Sequence, residues 1–124
     1  MNTILVVDDR PDARYALVRV LAGAGYDVRE TASGRDALRL ARMIPDLIVL
    51  DIALQDMDGF EVCRRLKADA ATSGIPIVHK TAVYRDDEYR RRGLEAGADE
   101  FLTEPVEPGT LVETVRRLLG RRGN

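Results

Sequence analysis

The chain has a single cysteine, Cys63, and a single histidine, His79, in 124 residues. One cysteine closes no internal disulfide, so Cys63 is expected in the core and the chain in a reducing cytoplasm. One histidine has no second imidazole with which to complete a metal site, and His79 reads as a strand residue facing a helix. An excess of charge is also missing. The 19 basic residues stand against 21 acidic ones, a formal net charge of -2, which exerts no general pull toward nucleic acid or an anionic membrane. Arg90-Arg91-Arg92 lacks the interleaved aromatics of a nucleic-acid patch and reads as a solvated helical face. No apolar run approaches the roughly 20 residues that span a bilayer, and Met1-Asn2-Thr3 enters a strand without the charged start of a secretory leader. Neither internal repeats nor low-complexity segments occur. One domain over residues 1–120 is expected, long enough to bury about two thirds of its unfolded surface. Residues 121–124 are expected to be a frayed terminus or the start of a linker.

What the chain does have is a set of short apolar runs that end in acid. Asp46-Leu-Ile-Val-Leu-Asp51 holds four consecutive apolar residues, the pattern of a strand buried on both faces, although length alone leaves a short buried helix open. Thr3-Ile-Leu-Val-Val7 is a second such run and leads into Asp8 and Asp9. Pro11 suits the first turn of a helix, and Ala13, Ala16, Leu17, Val20, Leu21 and Ala24 follow at helical spacing until Gly25. Asp27–Thr31 is short and mixed, as an edge strand would be. Ser33 is placed to cap a second helix whose inner stripe is Ala37, Leu38, Ala41 and Ile44. Val62, Cys63 and Leu66 mark a third helix, and residues 76–81 a fourth strand. Residues 85–97 predict a helix with a thin apolar stripe, chiefly Tyr89 and Leu94, hence one weakly held and free to shift. Residues 99–103 form a fifth strand, and Leu111, Val112, Val115, Leu118 and Leu119 the stripe of a closing helix.

Five strands alternating with five helices predict a flavodoxin-like, doubly wound parallel sheet in the order 2-1-3-4-5. That order sets the first and third strands side by side, so Asp8, Asp9 and Asp51 converge on the carboxyl edge, where open α/β sheets gather their chemistry. Carboxylates so close repel one another by on the order of 4 kcal/mol per pair at an effective dielectric of about 20. They need a cation, and magnesium fits because it takes oxygen ligands and is commonly shared between one or two carboxylates and a phosphate. Thr81, ending the fourth strand, can offer a hydroxyl to a phosphoryl oxygen. The set suggests phosphoryl transfer onto Asp51 itself. A phosphohydrolase working through an aspartyl phosphate is disfavoured because the residue two past Asp51 is Ala53, which has no group for acid catalysis. Flavin binding is excluded more firmly, since Asp8-Asp9-Arg10-Pro11 sets acid where a phosphate wants glycine, serine and threonine.

Asp8-Asp9, the segment from Asp51 to Gly59, Thr81-Ala82, and Gly97-Ala98-Asp99 through Pro105 resemble, in order and over nearly the whole chain, the motifs of the receiver domain of two-component response regulators. The resemblance implies that Asp51 is the phosphoacceptor, charged by a sensor histidine kinase. It implies that Asp9, Asp51 and the carbonyl of Ala53 bind Mg2+ directly and Asp8 through water, that Thr81 senses the phosphoryl group, and that Phe101 is an aromatic switch that rotates inward. A cis peptide before Pro105 is implied too. Signalling then passes to an output protein or fused domain through the face of the fourth helix, fifth strand and fifth helix, with homodimerisation through the fourth and fifth helices a family habit. No direct contact with nucleic acid or membrane is expected, and no enzymatic turnover beyond slow self-catalysed phosphorylation and dephosphorylation.

One position departs from the family. A lysine is expected immediately before Pro105, and Glu104 stands there. Pointing inward, Glu104 adds a fourth negative charge, which calls for a tightly bound metal or a protonated carboxylate. Pointing outward, it leaves the phosphoryl group one cation short. Lys80 precedes Thr81 on a strand, so alternation is expected to turn it away from the site. The alternative to a working switch is an interaction module that has abandoned phosphorylation. A looser resemblance, through Pro105-Val106-Glu107-Pro108, is to receivers attached to sensor kinases that also lack the lysine.

Overall fold

The computed structural model describes residues 1–81 and 87–122, except for the side chains of residues 87, 89, 90 and 122. The expectations for Ala82, Tyr89, Arg90 and the start of the helix at 85–86 therefore lie outside the described residues. Strands β1 (Thr3–Val7), β2 (Asp27–Thr31), β3 (Leu47–Asp51), β4 (Ile77–Thr81) and β5 (Glu100–Thr103) alternate with helices α1 (Pro11–Gly23), α2 (Gly34–Leu40), α3 (Gly59–Ala68), α4 (Asp87–Glu95) and α5 (Pro108–Arg122). The sheet is parallel throughout, in the order β2-β1-β3-β4-β5. This is the flavodoxin-like arrangement expected from the alternation of patterns. None of the described helices is long and apolar enough to cross a membrane.

Alternation along the central strands makes two cores. Leu5, Val7, Ile48, Leu50 and Ile77 face Ala37 of α2 and Phe60, Cys63 and Leu66 of α3. Ile4, Val6, Val49 and Val78 face Leu17 and Leu21 of α1 and Leu111, Val115 and Leu118 of α5. Each fully buried Leu, Ile or Phe contributes about 1.5–3 kcal/mol through the removal of apolar surface from water. The two-residue period carries this pattern past the last apolar positions. Asp8, Asp51 and Lys80 each lie two residues beyond Val6, Val49 and Val78 and so continue the α1/α5 stripe. Val7 pairs with Leu50, and Asp51 with Lys80, so these three polar residues form one row across adjacent strands.

Two apolar expectations fail. Ile44 is 44 % exposed rather than part of the α2 stripe. A single 3-10 turn, Ala41–Met43, follows α2, and Ile44 then takes a left-handed backbone, φ 54°, which breaks the helical phase. Leu94 is 59 % exposed. The chain around α4 is instead buried through Gly93, Ala96 and Ala98. At the other end of the chain, α5 continues through Gly120 to Arg122.

Candidate functional site

The loop after β3 returns toward the strand it left and is held there by backbone. Ala53 bridges to Asp58, and Gly59 donates its N–H to the Ile52 carbonyl at 2.9 Å. Asp58 caps α3 by accepting from the Phe60 N–H at 2.8 Å. A Cβ at Gly59 would lie 2.3 Å from the Asp51 carbonyl oxygen and 2.6 Å from Ile52 Cα. Glycine is required here by this close approach of backbones. Farther along the loop, Asp56 accepts from the N–H groups of Gly34 and Arg35, at 2.8 and 3.0 Å, and from the Ser33 hydroxyl at 3.3 Å. Those backbone bonds hold its carboxyl below the ordinary carboxylate range. Ser33 in turn accepts from Asp36 N–H at 3.0 Å, as its spacing predicted.

Carboxylate oxygens of Asp8, Asp9 and Asp51 lie within 4.8 Å of one another. Asp8 is fully buried, Asp51 is 4 % exposed and Asp9 is half-buried. Asp51 Oδ1 accepts from the Ala53 N–H at 3.2 Å, and Asp8 Oδ1 from the Arg10 N–H at 2.9 Å. Arg14 holds the same loop from outside, donating to the Asp8 carbonyl at 2.8 Å and to Glu30 at 2.9 Å. Burial pushes the Asp51 carboxyl up to about 6; the positive charge of Lys80 opposes the shift and the negative charge of Asp8 adds to it. The all-oxygen donor set of three converging carboxylates suits a hard divalent cation such as Mg2+.

Lys80 corrects the expectation drawn from alternation. Its side chain, 1 % exposed, reaches into the acidic row, with Nζ 2.7 Å from Asp8 Oδ2 and 2.6 Å from Glu104 Oε2. Lys80 and Thr81 do face opposite sides of β4, but the register partner of Lys80 is Asp51, and register partners share a face. Burial works against the Lys80 ammonium, yet the bonds to Asp8 and Glu104 outweigh it and its pKa ends above the ordinary value. Glu104 points inward, its side chain 19 % exposed, and Arg10 Nη2 meets both its oxygens at 2.5 and 2.7 Å. The fourth carboxylate is therefore answered by two cations, a third possibility beside the tight metal and the protonated acid. Arg10 was not among the expected site residues. Its position beside Asp8-Asp9 was the available signal.

Thr81 is buried at the end of β4, on the opposite side of the strand from Lys80. On that side His79 packs edge-on against Phe60 of α3, with centroids 5.3 Å apart, and against Phe101 of β5, at 6.4 Å. Phe101 is half-buried and borders Gly93 of α4, where a Cβ would lie 3.2 Å from its ring. His79 thus does face helices. The peptide between Glu104 and Pro105 is cis.

The family model described as "Response regulator receiver domain" matches residues 4–116. The chain belongs to the response regulator receiver family. Among curated relatives, the DNA-binding response regulator MtrA of Mycolicibacterium smegmatis is 44 % identical over 119 residues, covering 95 % of this chain and 50 % of MtrA. Protein PilH of Pseudomonas aeruginosa is 37 % identical, covering 96 % of this chain and 98 % of PilH. The receiver thus spans half the length of MtrA and nearly all of PilH. Among solved structures, the signal receiver domain of a signal transduction histidine kinase from Syntrophus aciditrophicus superposes with a TM-score of 0.88 at 35 % identity, covering 97 % of this chain and 91 % of that one. Chemotaxis response regulator CheY4 of Vibrio cholerae gives 0.88 at 31 %, covering 95 % and 98 %. The receiver is a module of two-component signalling, and Glu104 stands at the position before Pro105 where the motif resemblance led us to expect lysine.

Proposed function

We propose that this receiver accepts a phosphoryl group on Asp51 from a phosphohistidine of a sensor kinase, and that the modification changes the partner preference of the α4-β5-α5 face. The observation that carries the reading is the buried row itself, with Asp51 at a strand end and the oxygens of Asp8 and Asp9 within 4.8 Å. One Asp51 carboxylate oxygen forms a bond to phosphorus as the phosphorus–nitrogen bond breaks, and the imidazole leaves with the electron pair. Asp9, Asp51 and the Ala53 carbonyl would hold Mg2+, with Asp8 acting through water, and the ion would supply neutralisation of charge on the phosphoryl oxygens. The Ala53 N–H orients the acceptor carboxylate, and the Thr81 hydroxyl donates to a phosphoryl oxygen. Movement of Thr81 is passed to Phe101, which shares the His79 side of the sheet with α4. The output acts through a partner protein or a further domain of a longer polypeptide. The length of MtrA beyond its matched half supports the second arrangement and the near-complete match of PilH the first.

The test is incubation with acetyl phosphate and Mg2+, read by intact mass, beside Asp51→Asn. One added phosphoryl group in the native protein and none in Asp51→Asn is the expected result. An adduct that survives Asp51→Asn assigns the acceptor elsewhere. Absence of any adduct, both with acetyl phosphate and with phosphoramidate, together with no detectable Mg2+ binding by calorimetry, identifies an interaction module that works without phosphorylation.

A further inference from the structure

Four carboxylates and two cations make up the centre and its rim. Asp8, Asp9, Asp51 and Glu104 face Lys80 and Arg10, leaving a deficit of two positive charges. Three carboxylates facing one lysine before Pro105, the arrangement the family leads one to expect, leave the same deficit. A divalent cation cancels either. The glutamate is thus matched charge for charge by groups from elsewhere in the fold, and it is not simply a lost lysine. Geometry says the same. Lys80 is clamped between Asp8 and Glu104 at 2.7 and 2.6 Å, and Glu104 is held from its solvent side by Arg10. The Lys80 side chain, 1 % exposed, is held by Asp8 and Glu104 on the face it shares with its register partner Asp51, whose carboxylate its charge stabilises.

The geometry points to Lys80 as the cation that contacts the phosphoryl group in this receiver, delivered from β4 in place of β5, with Glu104 and Arg10 as the positioning residues that aim it. This rests on Asp51 being the acceptor. When Asp51 carries the phosphoryl group, the Lys80 ammonium shifts from Asp8 toward the phosphoryl oxygens while Glu104 keeps its hold on the same nitrogen. The exchange releases Asp8 to the metal's water shell. Lys80 and Glu104 therefore act as one unit, and restoring the family's residue at 104 alone is harmful: it sets two ammonium groups side by side and frees Arg10.

The experiment compares native protein with Lys80→Met, Glu104→Lys and the double variant by two readouts. These are Mg2+ affinity by titration calorimetry and the rate of adduct formation with acetyl phosphate. Removing a positive charge beside the cation site should tighten Mg2+ by about tenfold in Lys80→Met, and the change from glutamate to lysine should weaken it by about tenfold or more in Glu104→Lys. The double variant, in which Arg10 remains and the centre is one charge more positive than native, should bind Mg2+ with an affinity between those of Glu104→Lys and native protein. Adduct formation should fall at least tenfold in each single variant and recover in the double. A Glu104→Lys protein that binds Mg2+ as well as native or phosphorylates faster overturns the proposal, as does an unchanged adduct rate in Lys80→Met. Should Lys80→Met not fold, Glu104→Lys against native decides alone, because Glu104 lies at the rim. Failure of every variant and of native protein to form an adduct refutes the acceptor reading, while the opposed Mg2+ shifts still report whether Lys80 and Glu104 are coupled.

Discussion

Gly59→Ala is expected to cost more than about 3 kcal/mol of stability, although it adds a single methyl group. The new Cβ would fall 2.3 Å from the Asp51 carbonyl oxygen, 2.6 Å from Ile52 Cα and 2.9 Å from the Ile52 carbonyl oxygen. All three are backbone, so no side chain can turn aside. Relief requires either the first turn of α3 to withdraw, breaking the 2.9 Å bond from Gly59 N–H to Ile52, or the end of β3 to move with its acceptor. A midpoint about 10 °C lower in thermal unfolding is the expected reading for a domain of this size. Gly23→Ala is the control. Nothing lies within 4 Å of a Cβ there, at the end of α1, and removal of helical glycine should be neutral or stabilising by up to about 1 kcal/mol. Equal midpoints for the two variants would show that α3 can withdraw from β3 without loss.

Between pH 7.5 and 4.5 the receiver is expected to lose roughly 2–3 kcal/mol of stability through His79 alone. The ring is fully buried between Phe60 and Phe101. Nδ1 stands 3.2 Å from the Leu50 carbonyl, which can only accept, so Nδ1 carries the proton; Nε2 is buried without a hydrogen-bond partner. Burial pushes its pKa down to about 4 from an ordinary 6.5. Above pH 6.5 both folded and unfolded states hold the ring neutral, and it has no effect. Below that the unfolded chain binds a proton that the native ring refuses, so stability falls by about 1.4 kcal/mol per pH unit until about pH 4, where the loss is complete. Urea midpoints of native protein and His79→Leu at both pH values isolate the contribution from that of the carboxylates. The native midpoint should drop further than that of the variant, and parallel drops would remove His79 from the account.

The strands were legible because an unbroken apolar run followed by acid is a pattern that few other elements produce. Leu47–Leu50 and Ile4–Val7 are buried throughout, and the order of alternation sufficed to bring Asp8, Asp9 and Asp51 together. Lys80 was misread for an instructive reason. Alternation correctly opposes it to Thr81, but whether Lys80 shares the face of Asp51 is a matter of register between strands, and register depends on contacts distant in sequence. Ile44 and Leu94 were misread because helical spacing assumes a helix that continues. One turned out of phase at the 3-10 turn, and the other lies on a helix bordered by small residues rather than large ones. Glu104 was the hardest position, since its meaning depends on Arg10 and Lys80, 94 and 24 residues away.

Asp56 ties the start of α2 to the loop that leaves the acceptor strand, donating nothing and receiving three hydrogen bonds from consecutive residues Ser33, Gly34 and Arg35. Segments 27–44 and 52–58 consequently form a unit of exchange. A chimera that imports the β2–α2 segment of another receiver without its matching loop leaves Asp56 facing a helix start it did not evolve with, and the defect would surface at the acceptor loop, remote from the graft. Recombination between receivers should succeed most often where both segments come from the same parent, which makes crossovers just before β2 and after α3 the favourable ones.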